Sequence, residues 1–161
     1  MKQIMVCLGI SVLLVAKASA RVGENEDELV HRYGELQSRQ PARTISQGRT
    51  YTYGEYLNFR SDDWSITALM INQRCEEVIY SKRGEWTEEQ FKHLLEINGG
   101  RSQWEEQQNQ NPRLRREWRR RDKTMATWRI TALEIQTPVV RQTRDAVEKA
   151  AKEEASKLPK F

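Results

Sequence analysis

The side chains able to do chemistry are few and scattered. The chain holds two histidines and two cysteines. His31 lies between Val30 and Arg32, and His93 between Lys92 and Leu94. Neither sits in an HExxH pattern, and neither has a Cys or His partner at metal-ligand spacing. Paired acids occur at Asp62-Asp63, Glu76-Glu77, Glu88-Glu89 and Glu105-Glu106. General acid–base work needs two carboxylates facing one another across a cleft, and adjacency in sequence does not select such a pair. No GxSxG, Walker loop or GxGxxG is present. The residues therefore predict no catalytic group, no metal ligand and no cofactor site, and a non-enzymatic protein.

The most conspicuous cluster is basic. Arg113, Arg115, Arg116, Arg119, Arg120, Arg121 and Lys123 surround Trp118. Arginines interleaved with an aromatic can bind phosphates and stack on bases or sugars. Arg113, Arg116, Trp118 and Arg120 are the candidate contacts for an anionic ligand, either a lipid headgroup or an acidic polysaccharide. Two features act against this. Glu105, Glu106, Glu117 and Asp122 lie nearby. On a strand, successive side chains also point to opposite faces, so the run splits. The competing expectation is a hairpin of solvated arginines with Trp118 packed inward.

Five tryptophans are many for so polar a chain. Trp64, Trp118 and Trp128 fall in alternating segments and are expected in the core. Trp86 and Trp104 flank a helix and a loop and are expected at an interface.

These residues need elements to position them. Asn25 followed by Glu26, Asp27 and Glu28 predicts a helix start, and Gly34 a helix stop. Residues 37–50, with Pro41 and Gly48, read as a polar linker. Tyr51 to Tyr80 reads as three short strands turning at Ser61-Asp62-Asp63 and Asn72-Gln73-Arg74. Thr87 and Gln90 form a capping box ahead of Phe91, Leu94, Leu95 and Ile97, and Asn98-Gly99-Gly100 ends that helix. Residues 101–113 read as a polar excursion. A hairpin follows over 114–137, turning at 121–124 and ending in one long strand from Trp128. Thr137-Pro138 predicts an N-cap and first helical position. The helix beyond it carries Arg141–Asp145, Glu148–Lys152 and Lys149–Glu153 at i,i+4. Its apolar stripe of Val140, Val147, Ala151 and Leu158 is thin, so it packs weakly or projects into solvent. No internal repeat is visible.

The chain has 161 residues, a net charge of +4 and 37% hydrophobic residues, enough for one domain. Residues 1–20 read as a signal peptide. Lys2 is followed by an apolar run from Ile4 to Ala16, then Ala18-Ser19-Ala20 before Arg21. Removing Lys2 and Lys17 lowers the charge to about +2. Cys75 alone remains beyond the signal, so no internal disulfide is available, and it is expected as a small strand residue.

The pattern Glu28-Leu29, Arg32-Tyr33-Gly34, a tyrosine-rich sheet, Asn98-Gly99-Gly100, Trp104 and Trp118-Arg119-Arg120-Arg121-Asp122 resembles small exported proteins of uncharacterised function from Verrucomicrobia- and Planctomycetes-type bacteria. The opening helix ending in Tyr33-Gly34 also looks like that of the small lipoprotein of the outer-membrane barrel-assembly machinery, though Cys7 lacks that protein's lipobox. The resemblance implies export and an α+β fold, and no activity.

The expectation is an α+β protein with an antiparallel sheet of four to five strands, two short helices and a charged C-terminal helix. The signal peptide would span 1–20, the domain 21–137 and the helical tail 138–161. Its function would be that of a periplasmic or secreted module binding a protein or envelope surface, with no nucleic acid and no transmembrane span in the mature chain. The alternatives are an anion binder using hairpin 113–123, or a small hydrolase or inhibitor with an unrecognised site.

Overall fold

A computed structural model describes residues 22–99, 103–109 and 111–157. The expected signal peptide, Cys7 and Leu158 lie outside these residues.

Both early caps form as their residues dictate. Helix α1 spans Glu26–Tyr33, with a reciprocal capping box between Asn25 and Glu28, and ends at Gly34 with φ 83°. Helix α2 spans Glu88–Gly99, and Thr87 and Gln90 exchange backbone-to-side-chain bonds of 3.2 Å at its start. Helix α3 spans Pro138–Ser156, and Thr137 accepts from the Val139 amide. Its i,i+4 pairs are Arg141–Asp145, Lys149–Glu153 and Lys152–Glu148.

The sheet is larger than expected, with eight strands instead of four to five. Its strands are β1 (Leu36–Ser46), β2 (Arg49–Ser61), β3 (Trp64–Ile71), β4 (Arg74–Lys82), β5 (Glu105–Gln107), β6 (Arg115–Arg119), β7 (Met125–Arg129) and β8 (Ala132–Gln136). They form one eight-stranded sheet in the order β1-β2-β3-β4-β8-β7-β6-β5. This corrects the four-to-five-strand sheet with two short helices. Three segments account for the difference.

The supposed linker 37–50 is β1 and the start of β2. Pro41 is tolerated because β1 is an edge strand, where a missing N–H breaks no ladder. Gly48 and Gln47 make a two-residue turn, both at positive φ. The polar excursion holds β5, three residues on the opposite edge. The supposed long final strand is two strands, β7 and β8, folded at Ile130-Thr131. That turn has no Gly, Asn or Asp to announce it.

The strand order reveals a repeat that the sequence conceals. Outward from the β4/β8 junction, β4-β3-β2-β1 on one side matches β8-β7-β6-β5 on the other. Each four-stranded meander follows a helix, α1 or α2. Leu29 of α1 and Phe91, Leu94 and Leu95 of α2 share one core with Leu57, Phe59, Ile66, Val78, Tyr80, Trp118, Leu133 and Ile135. Both helices therefore cover the same face.

The opposite face is asymmetric. Over the first meander, Val140 of α3 packs with Ala42, Leu69 and Ile71. Ala151, further along α3, is also buried. The thin stripe thus docks on the sheet instead of projecting from it. Among the described residues no helix covers this face over β5–β8, and most of its side chains are polar: Arg115, Glu117 and Arg119 on β6, Thr127 on β7 and Glu134 on β8, beside Met125 and Ala132. Among the described residues, no helix is long and apolar enough to cross a membrane.

Candidate functional site

The arginine run does not form one patch, because the sheet divides it. Trp118 points into the core and is 4% exposed. Arg116 shares its face and lies over two rings, 5.1 Å from Phe91 and 4.9 Å from Trp118. It donates to Glu106 on β5 and Glu88 on α2, at 2.9 and 3.0 Å. These partners hold its guanidinium above its ordinary pKa. Arg120 pairs with Asp122, donates to the Thr124 hydroxyl and reaches the Asn98 carbonyl at 2.5 Å. It also lies 5.4 Å from the Trp104 ring. The hydrogen bond from Arg120, with those from Thr124, holds the Asp122 carboxyl down at about 2. Arg116 and Arg120 thus bind the β6–β7 hairpin to α2. Of the four expected anion contacts, only Arg113 is exposed and makes no ion pair among the described residues.

Trp86 and Trp104 also have structural neighbours. Trp86 meets Trp64 edge to face at 5.0 Å. Trp104 donates its indole N–H to the Leu95 carbonyl at 2.6 Å. Both are half-buried against the core. Trp64 and Trp128 are likewise half-buried against it.

The cations left over lie on the other face, where the sequence did not single them out. Arg119 alternates with Trp118 and so faces away from α1 and α2. With Lys123 of the hairpin loop and Arg141 of α3 it lines a cleft of about 530 Å³ that also takes in Met125, Gln136 and Asp145. Arg119 and Lys123 make no ion pair among the described residues, and Arg141 has Asp145 at 3.8 Å. A second cleft of about 440 Å³ is lined by Arg60, Lys82 and Arg83, with Asp63 and the β7–β8 turn residue Thr131. The first cleft borders the Gln136 end of β8 and the second the Ala132 end, since Ser81, which lines it, pairs with Ala132. Lys82 is in phase with Tyr80 and lies 5.7 Å from the Trp64 ring, so it belongs to the α1/α2 face, which leaves Arg60 of β2 and Arg83 as the cations beyond this end of the uncovered half. The free Arg119 could have been found from sequence as the neighbour of a tryptophan placed in the core, because adjacent strand residues face opposite ways.

The two histidines lie apart. His31 is exposed on α1. His93 lines a groove between α1 and α2 with Tyr33, Trp64, Tyr80 and Leu94, and no carboxylate lines that groove. Cys75 is fully buried and its thiol is pushed up to about 12 by burial and by nearby Glu24 and Glu76. No group of three or more His, Cys, Asp or Glu able to hold a metal occurs among the described residues.

No family model matches the chain, and no curated protein matches it. Among solved structures, it is similar to a cysteine-rich secretory protein from Staphylococcus aureus subsp. aureus Mu50, at 13% identity and a TM-score of 0.47. That match covers 74% of this chain and 45% of the staphylococcal one, so the chain spans less than half of that protein's length.

Proposed function

We propose that the chain is an exported, non-enzymatic module that binds an acidic protein surface across the uncovered half of its sheet. One observation carries this reading. Arg119, Lys123 and Arg141 line one end of a polar face that α3 leaves open, with Arg60 and Arg83 beyond the other end of β8. Cations spaced along a rim steer an oppositely charged partner and fix its register. Arginine together with methionine, here Met125, is enriched where protein surfaces meet.

The mixed charge of the same face favours a protein over a lipid bilayer. Glu117 and Glu134 stand among the cations and would repel an anionic membrane, whereas a protein partner can match both signs. The Ala18-Ser19-Ala20 pattern behind an apolar run supports export to the periplasm or the medium. A mature N-terminus at Arg21, found by mass spectrometry of exported protein, is the expected result. Retention of residues 1–20 would remove that support.

The binding test uses poly-L-glutamate as the acidic probe, with heparin and phosphatidylglycerol vesicles beside it. Poly-L-glutamate should bind, and binding should weaken as salt rises from 50 to 200 mM. Vesicles binding more tightly than poly-L-glutamate would contradict the choice of partner.

A further inference from the structure

The groove between α1 and α2 lies on the opposite face from Arg119, Lys123 and Arg141, meets the second cleft only at Trp64, and has its own unmatched chemistry. Its volume is about 320 Å³, at the small end for ligand sites of roughly 300–1,000 Å³. Trp64, Ile66, Leu94 and Ile97 supply apolar wall, and Tyr33 and Tyr80 bring hydroxyl groups.

Proton accounting shows a surplus donor. The Tyr33 and Tyr80 hydroxyls are 3.0 Å apart. Asn98 spends its amide protons on the Leu94 carbonyl at 2.8 Å and the Tyr80 hydroxyl oxygen at 3.1 Å. Two phenol protons remain, and the contact between the rings uses one. If Tyr33 donated to Tyr80, the second proton would be stranded on Tyr80, which is 2% exposed. A buried donor without a partner is costly. Tyr80 therefore donates to Tyr33, and the free proton belongs to Tyr33, the less buried ring. Burial raises the pKa of both phenols, so both protons are in place at neutral pH.

Of the other polar groups, Ser61 and His93 can donate or accept, and Gln90 and Arg32 present donors. Gln90 uses its carbonyl oxygen on the Thr87 amide, which leaves its amide protons. Arg32 forms a two-point pair with Glu24, which cancels its charge. Arg32 Nη1 is buried with no partner. The groove is thus mostly apolar, with its Arg32 charge matched by Glu24 and a surplus of donors at Tyr33, Gln90 and Arg32.

We infer that this groove binds a small, uncharged apolar molecule whose carbonyl oxygen accepts the Tyr33 hydroxyl proton. A carboxylate fits less well. It would lose its hydration without gaining a net positive charge, because Glu24 already holds Arg32.

The test compares acetophenone with α-methylstyrene, the same shape with CH₂ in place of the oxygen, and with benzoate. Chemical-shift titration of the full chain reads the resonances of Tyr33, Trp64, Leu94 and Ile97. Acetophenone should shift these residues and bind about tenfold more tightly than α-methylstyrene. Tyr33→Phe should bring the two ligands to equal affinity. Ile97→Trp, which fills the groove, should abolish both while leaving resonances of β6 and β7 unmoved. Equal binding of ketone and hydrocarbon by the unaltered chain would overturn the inference. So would tighter binding of benzoate, a preference that survives Tyr33→Phe, or no shift in the groove at millimolar ligand.

Discussion

Arg144 of α3 places its Nη2 3.9 Å from Glu77 Oε2 on β4, a carboxylate that belongs to a residue only 2% exposed. Arg144 also donates to the Tyr53 hydroxyl at 3.2 Å and lies 5.5 Å from that ring. Glu134 of the adjacent strand shares the site. Burial and the Glu134 charge push the Glu77 carboxyl up to about 7, against a smaller opposing effect of Arg144.

This relationship sets a pH dependence. The folded pKa of Glu77 lies above its unfolded value, so the folded state holds the proton more tightly. Its contribution is fully present below about pH 4.5 and is lost as pH rises through 7. Glu77→Gln should remove that slope and raise stability at pH 8 by on the order of 2 kcal/mol. Chemical denaturation between pH 5 and 8 reads it. An unchanged slope in the variant would place the titration elsewhere.

Gly54 of β2 is fixed by its neighbour strand. A Cβ built there would stand 2.4 Å from the Met70 carbonyl oxygen, with Leu69 and Ile71 side chains at 3.2 and 3.3 Å. The backbone oxygen cannot move without breaking the β2–β3 ladder. Gly54→Ala should therefore cost about 2–3 kcal/mol in urea unfolding, where an exposed strand substitution costs a few tenths.

Arg116 and Arg113 should behave as opposites despite their shared place in the basic run. Removing Arg116 strips two ring contacts and two acid partners from the β6–α2 contact, at a cost of about 1–2 kcal/mol. Arg113→Ala should leave stability within about 0.5 kcal/mol. Thermal melts of the two variants distinguish them, and equal shifts would refute the structural role given to Arg116.

Cys75 should be inert in the folded state. Full burial and a thiol pKa near 12 leave almost no accessible thiolate at pH 8. A disulfide reagent should label it only after denaturant is added. Rapid labelling of the native protein would mean that the strand opens.

What could be read from the sequence was local. Asn25, Thr87 and Thr137 announced three helix starts, because a cap is decided by residues three or four apart. Alternation placed β3 and β4, and it placed Trp118 inward. What could not be read depended on neighbours distant in the chain. Pro41 reads as a breaker until β1 is known to be an edge. Glu105-Glu106-Gln107 is a strand only because β6 lies beside it. The repeated helix-and-meander plan leaves no sequence trace, since Leu69 and Ile71 lie under α3 while the other half carries Glu117 and Glu134 on the same face. The arginine run needed the positions of Glu88 on α2 and Glu106 on β5 before its structural members could be told from its free ones.

The central claim is that position, and not net charge, makes the uncovered sheet a binding face. The direct measurement compares two variants that each lose two positive charges. Arg119→Ser with Lys123→Ser empties one cleft, while Arg113→Ser with Arg121→Ser removes exposed charge from elsewhere in the same run. Affinity for poly-L-glutamate at 100 mM salt should fall about tenfold in the first and less than twofold in the second. Equal losses in both would contradict the account and reduce the binding to overall charge.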